Sequence, residues 1–167
     1  MFSNKNSDML LRYPPTLLER LQDDEPKSVH DRLKPVDMRT MRSIVQKDLT
    51  DLINHSNMEA KLHENKHGPI IKSVLNYGIS ALMGSQENSH SWSVIEQKIR
   101  KAILYFEPRV IPETLVIRSL QKGDDMVRHA VIAVEIRGLI YWKPKPIDLC
   151  MSGRYDFESE KVALSIL

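Results

Sequence analysis

Apolar residues first recur at helical spacing between Asp37 and Asn54. The apolar side chains lie three or four residues apart and so share one helix face: Met38, Met41, Val45, Leu49, Leu52 and Ile53. The charged residues Lys47, Asp48 and Asp51 lie mainly on the opposite face. This pattern predicts a helix from Asp37 to about Asn54.

Two further apolar segments follow this helix. The first runs from Ile70 to Met83, is divided by Gly78, and contains Ile71, Val74, Leu75, Ile79 and Leu82. The second predicts a helix from about Ser93 to Phe106, with an apolar stripe formed by Val94, Ile95, Ile99, Ala102, Ile103 and Phe106. Residues 55–69 are polar and end at Gly68-Pro69, which indicates a loop or a short frayed helix.

Beyond residue 114 the apolar positions alternate, as they do in strands with one buried face. A strand around Leu115 and Ile117 is followed by a turn at 122–125 and by a strand that places Ala130, Ile132, Val134 and Ile136 on one side. Pro144 and Pro146 end that strand, Ile147 begins another, and residues 162–167 suggest a last one. Helices followed by strands predict an α+β fold, with about three helices packed on an antiparallel sheet.

Residues 1–36 are predicted to form an N-terminal arm. Four prolines interrupt this segment, and only residues 16–21 have a helical pattern, with Leu17, Leu18 and Leu21 on one side. That apolar side packs either on the chain's own domain or on a partner. Residues 37–167 are predicted to form a single α+β domain, because 167 residues suffice for one ordinary core but not for two.

Composition excludes several classes of partner. The net charge is +2, from 24 basic and 22 acidic side chains, so neither nucleic acid nor an anionic membrane is expected. The most apolar stretch, 130–142, contains Glu135 and Arg137 and is too short to span a bilayer. A single cysteine, Cys150, forms no intrachain disulfide, and the first residues lack an apolar signal core. We therefore expect a cytoplasmic protein.

The segment His63-Glu64-Asn65-Lys66-His67 matches the H-E-x-x-H pattern of zinc peptidases. In those enzymes two imidazoles one helical turn apart bind zinc, and the glutamate acts as general base. Here the pattern lies in a polar stretch, Gly68-Pro69 is expected to end any helix, and no third ligand can be named. A zinc peptidase at His63, Glu64 and His67 is an alternative that these surroundings argue against, and we expect neither metal nor cofactor.

Glu107 is the natural candidate for the acid of a lysozyme-like glycosidase, with Glu96 or Glu113 as the second carboxylate. Such enzymes place two carboxyl groups about 5 Å or about 6.5–9.5 Å apart and keep one of them protonated. Arg109 lies two residues away, and a nearby guanidinium favours the charged form of a carboxylate, which is the wrong form for a general acid. We therefore expect a protein without catalytic activity.

The triplet Glu107-Pro108-Arg109 closes the predicted third helix. Proline disfavours helical geometry in the residue before it, so the helix is expected to end at Glu107. A carboxylate there faces the negative end of the helix dipole, at a cost of about 0.3–1 kcal/mol when exposed. A cation should compensate, either Arg109 or an arginine of a partner. The two charges are expected to project from a stiff corner.

Four segments, in order, resemble the TssE family, the lysozyme-related baseplate subunits of bacterial type VI secretion systems. They are TLLERL at 16–21, SIVQKDLTDLIN at 43–54, SVLNYGISALMG at 73–84 and IEQKIRKAILYFEPRV at 95–110. A weaker β-rich tail follows from 115 to 164. The most specific parts are Tyr77-Gly78 and the triplet 107–109. That family is similar in turn to a wedge protein of contractile-phage baseplates.

The resemblance implies a phage baseplate wedge or lysozyme-related fold and a structural, non-catalytic role. It implies binding to the baseplate subunits TssF and TssG, proximity to TssK, and help in starting the TssB/TssC sheath. Carried over to this chain, Glu107, Pro108 and Arg109 form the contact with the baseplate core. For the sheath, residues 131–134 are apolar on both strand faces, and an open sheet edge beside them is a site for strand addition.

Overall fold

The structure is a computed structural model, and it describes residues 36–80, 92–120, 131–156 and 161–166 together with Thr16, Leu17, Leu21 and Lys27. Two units meet in the chain between Met41 and Arg42. In the first unit, Leu17 and Leu21 are helical and exposed. Leu18, Leu82, Ala130 and the turn at 122–125 lie outside the described residues. The extent of the N-terminal arm stays a prediction.

The first and third predicted helices are confirmed. Helix α1 spans Met38–Asn54, and the Asp37 carboxylate before it accepts a hydrogen bond from the Thr40 N–H at 2.7 Å. That bond lowers the pKa of Asp37 below its ordinary value. The inner face of α1 is almost fully buried, through Val45, Leu49, Leu52 and Ile53. Met38, which the pattern assigned to the same face, is exposed.

The polar segment after α1 contains more structure than its composition indicates. A two-residue strand, β1 (Ser56–Asn57), is followed by a 3₁₀ turn at Glu59–Lys61 and by helix α2 (Glu64–Ile71). The prediction that Gly68-Pro69 ends any helix is wrong, because α2 continues to Ile71. His67 leaves helical geometry, with φ −123° and ψ 17°, so the chain starts a new turn there. Pro69 then lies in the first turn of the restarted helix, where its missing N–H is not needed.

The described part of the second apolar segment, residues 70–80, does not form one buried face. Ile71 and Ile79 are buried, but Val74 and Leu75 are 81% and 82% exposed on a 3₁₀ turn at Val74–Asn76. The chain then enters a second short strand, β2 (Ile79–Ser80), which pairs in parallel with β1. The sequence places Val74 and Leu75 in an apolar segment, and this tight turn directs both side chains outward.

Helix α3 (Trp92–Phe106) buries the centre of its predicted stripe, through Ile95, Ile99, Ala102 and Ile103. After a 3₁₀ turn at Pro112–Thr114, four antiparallel strands follow in the order β3-β4-β5-β6. They are β3 (Val116–Ser119), β4 (Val131–Ile140), β5 (Ile147–Asp156) and β6 (Lys161–Ile166). The α+β prediction is confirmed: from Val36 onward, the residues that the structure describes form three helices and an antiparallel sheet of four strands. None of the described helices is long and apolar enough to cross a membrane.

The outer edge of strand β6 is hydrogen-bonded by side chains of helix α1. On β6, the Asn54 side chain accepts from the Val162 N–H at 2.7 Å and donates to the Val162 carbonyl at 3.0 Å. The Gln46 amide donates to the Leu164 carbonyl at 3.0 Å. These backbone groups point away from β5, because successive residues of an antiparallel strand bond to alternate sides. The side chains of Asn54 and Gln46 on α1 therefore bind the backbone groups along the outer edge of β6.

Candidate functional site

The triplet 107–109 joins the end of α3 to the end of β4. The Glu107 N–H still donates to the Ile103 carbonyl at 2.9 Å, as in a helix, before Pro108 turns the chain away. The Arg109 carbonyl then accepts from the Tyr141 N–H at 2.8 Å, and the following residue, Val110, pairs with Ile140. The proline corner is therefore anchored on both sides by backbone hydrogen bonds.

The carboxylate of Glu107 points inward, with 3% of its side chain exposed. Its Oε1 atom accepts from the Arg109 backbone N–H at 3.1 Å and from Nε at 2.7 Å, and Oε2 accepts from Nη2. This is a two-pronged guanidinium–carboxylate pair, the strongest geometry for such an interaction. The expectation that both charges project from the corner is wrong for Glu107, because Arg109 turns back over it.

Arg109 also binds Asp48 of α1, through Nη2 and Oδ2. The compensating cation is therefore this chain's own arginine, held by two carboxylates. Partial burial lowers the pKa of the Arg109 guanidinium, but the hydrogen bonds to Glu107 and Asp48 outweigh it and hold the pKa above its ordinary value. The corner thus connects α3, β4 and α1. Pro108 is exposed, and 29% of the Arg109 side chain is exposed as well.

Tyr77 lies against the same corner. Its hydroxyl donates to the Asp48 carbonyl at 3.3 Å, and its ring meets the edge of Phe106 with 5.4 Å between centroids. Burial raises the pKa of the Tyr77 phenol, and the negative charge of Asp48 raises it further. The two segments most specific to the family resemblance, Tyr77-Gly78 and 107–109, are therefore neighbours in space.

The backbone geometry after Tyr77 requires glycine at position 78. Its φ is +116°, and a Cβ atom at this position would lie 2.2 Å from the His55 carbonyl oxygen. That carbonyl accepts from the Ile79 N–H at 2.8 Å, which starts the β1–β2 pairing. Only glycine fits this approach of two backbones.

Asn76 is a buried polar residue that the sequence patterns missed. It is 3% exposed; its Oδ1 accepts from the Met58 N–H at 2.9 Å, and its Nδ2 donates to the Ile71 carbonyl at 3.2 Å. The side chain therefore fixes the Val74–Asn76 turn to the segment after β1. The only sequence signal was an asparagine close to a glycine, which is typical of a turn but not of a buried one.

The structure does not bring the enzymatic candidates together as active sites. The His63 N–H donates to His67 Nδ1 at 3.1 Å, so one candidate zinc-binding nitrogen is already engaged. Among the described residues no three His, Cys, Asp or Glu side chains are grouped for a metal. Glu96 pairs with Arg100 at 3.0 Å, and the carboxylate of Glu107 is enclosed by Arg109.

Comparison with known proteins assigns the chain to a class and then to a family. A protein-family model matches residues 39–145, more than half of the 167 residues, and describes structural components of a baseplate of the phage-tail type. The particular family is that of baseplate wedge protein gp25, and the chain belongs to it. The match includes Asp48, Tyr77-Gly78 and the triplet 107–109. Comparison with curated proteins and with solved structures found no match.

Proposed function

We propose that this chain is a TssE-type wedge subunit of a type VI secretion baseplate. It docks on TssF and TssG near TssK, helps to start the TssB/TssC sheath, and works in the cytoplasm without catalysis or a cofactor. The observation that carries the proposal is the corner, in which Arg109 joins Glu107 and Asp48 inside the region shared with the wedge family. A fixed corner of this kind suits a protein that positions other subunits.

The docking contact consists of Pro108 and the exposed part of Arg109, with Glu107 acting through Arg109. Two large side chains near the triplet are exposed, Leu104 at 43% and Tyr141 at 57%. Tyrosine and arginine are the residue types that most often dominate binding energy at interfaces. Because the Arg109 guanidinium is already held by two carboxylates, little side-chain entropy is lost when a partner covers it.

The docking proposal is tested by affinity for a purified TssF–TssG complex. Tyr141→Ala and Pro108→Ala alter exposed side chains, and we expect the affinity to fall about tenfold or more, as for residues at the centre of an interface. Arg118→Ala, on the exposed face of β3, is the matched control and should bind as the wild type does. If stable Tyr141 and Pro108 variants retain full affinity, the corner is a brace within the fold and not a docking contact.

The sheath contact is assigned to β3, which lies beside the apolar strand β4. The other outer strand, β6, already bonds Asn54 and Gln46 along its outer edge. In β3 the register makes Ile117 point its backbone groups away from β4, since Leu120 N–H donates to the Ala133 carbonyl and successive residues bond to alternate sides. An extended arm of a sheath protein would add there as a further antiparallel or parallel strand.

Arg118 provides a matched pair of substitutions. Its backbone N–H lies on the side of β3 that faces β4, so Arg118→Pro disturbs the pairing of β3, whereas Arg118→Ala keeps it. In cells with a fluorescent sheath protein, we expect Arg118→Pro to abolish sheath assembly while TssF–TssG binding persists. Arg118→Ala should assemble sheaths normally. Normal sheaths in a folded Arg118→Pro variant would refute strand addition at β3.

A further inference from the structure

Four exposed apolar side chains lie on adjoining turns of the chain between Met58 and Asn76. Val74 and Leu75 are exposed at 81% and 82%, Met58 at 59% and Ile70 at 41%. Single exposed apolar residues are ordinary, but a group of them joined through neighbouring turns marks an interaction surface. We call these four residues the apolar turn surface.

Hydrogen bonds hold this surface in one conformation. The Ser73 hydroxyl donates to the Ile70 carbonyl at 2.8 Å and accepts from the Leu75 N–H at 3.3 Å. The buried Asn76 side chain then ties the turn to the Met58 N–H. The backbones that carry all four apolar side chains are therefore linked to one another. A surface fixed before binding loses little conformational entropy when a partner covers it.

Positive charge accompanies the apolar turn surface. The Lys72 ammonium, between Ile70 and Val74 in the chain, lies 5.8 Å from the centroid of the Tyr105 ring. The Lys101 ammonium lies 5.9 Å from the same centroid and is paired with Glu59. Among the described residues, Lys72 has no carboxylate within salt-bridge distance. Glu59 balances the charge of Lys101, so the positive charge of Lys72 is left in excess beside the exposed ring.

We propose that the apolar turn surface and Lys72 dock a segment of another baseplate protein that carries apolar side chains next to aspartate or glutamate. The apolar side chains would cover Val74 and Leu75, and a carboxylate would approach Lys72 and the edge of Tyr105. The proposal rests on the proposed baseplate function and adds a second contact to that of the corner. Charge complementarity selects an acidic segment, because a basic one would meet the unbalanced charge of Lys72.

The test compares charge substitutions at this surface with the same substitutions elsewhere. Leu75→Asp and Lys72→Glu should each weaken binding to the purified TssF–TssG complex by about tenfold or more, and Lys72→Glu should also reduce the dependence of affinity on salt. Leu120→Asp and Lys47→Glu place the same charges at other exposed positions and should bind as the wild type does.

Each other occupant of the surface has its own outcome. If Leu75→Asp lowers the melting temperature of the free chain, the chain itself covers Leu75, and the proposal is overturned. A wild-type dimer in light scattering that Leu75→Asp converts to monomer would identify a second copy as the occupant and likewise overturn it. Wild-type affinity in both variants overturns this proposal alone, whereas failure of the wild type to bind TssF–TssG overturns the baseplate function as well.

Discussion

Replacing Arg109 by methionine removes the guanidinium but keeps a long apolar side chain at the corner. The Glu107 carboxylate then stays buried with one remaining hydrogen-bond donor, the backbone N–H of residue 109 at 3.1 Å. A buried charge that loses its partner is destabilising, because the contacts that remain compensate it only in part. We expect Arg109→Met to lower the free energy of unfolding.

The magnitude follows from the burial of each contact. Breaking a fully buried ion pair costs about 3–5 kcal/mol. The Asp48 carboxylate is 43% exposed, so its contact with Arg109 adds no more than about 1 kcal/mol. Arg109 is itself 29% exposed, and water can reach the carboxylate once the guanidinium is gone. We therefore expect a loss of about 2–3 kcal/mol, near the lower end of the range for buried pairs.

Urea denaturation followed by circular dichroism measures this loss. For a chain of this length each 1 kcal/mol lowers the melting temperature by about 2–4 °C. Arg118→Met removes an exposed arginine and should change stability by less than about 0.5 kcal/mol. The double variant Glu107→Gln/Arg109→Met should lose clearly less than the sum of the single variants, because the unpaired charge is gone. Additive losses, or an Arg109→Met variant as stable as the Arg118 control, would refute the argument.

Two further predictions concern the neighbours of the corner. Gly78→Ala should destabilise the fold by more than about 2 kcal/mol in urea denaturation, because a Cβ would meet the His55 carbonyl at a φ of +116°. Gly68 has open space around it, so the control Gly68→Ala should stabilise α2 by about 0.5–1 kcal/mol. Equal effects of the two substitutions would contradict this prediction. The raised pKa of Tyr77 means that its contribution to stability is complete below its ordinary pKa of 10.0 and is lost as pH rises through the higher folded value. Alkaline unfolding, followed by circular dichroism from pH 9 to 12, should thus be steeper in the wild type than in Tyr77→Phe, and identical profiles would speak against a buried phenol.

Patterns in the chain predicted the elements better than their contacts. The faces of α1 and α3 and the buried side of β4 depend on local spacing, and the structure confirms them except at Met38, which is exposed. Val74 and Leu75 belong to an apolar segment of the sequence, but a 3₁₀ turn exposes both. Hydrophobicity indicates that a side chain favours burial. Whether the side chain is buried depends on elements distant in sequence that pack against it.

The polar residues of the corner likewise show that local patterns predict an element but not its distant contacts. The triplet 107–109 was predicted to end α3, and it does, because the proline effect acts on adjacent residues. The third member of the charge cluster, Asp48, lies 61 residues before Arg109 and sits among the polar residues of α1. Nothing in its local sequence distinguished it from Asp51. Glu135 is similar: it is buried on β4 beside Arg137, against the alternation of that strand.

The side chains of Gln46 and Asn54 along β6 limit how a subunit that has not yet bound its partners can associate with further copies of itself. Sheets whose outer strands are both open can pair copy to copy without end and form fibres. In the sheet that the structure describes, β6 is already bonded by α1. Two copies joined through β3 would use both β3 strands and present only the bonded β6 edges. Pairing through β3 would stop at two copies, because one asparagine and one glutamine already bond the edge that remains.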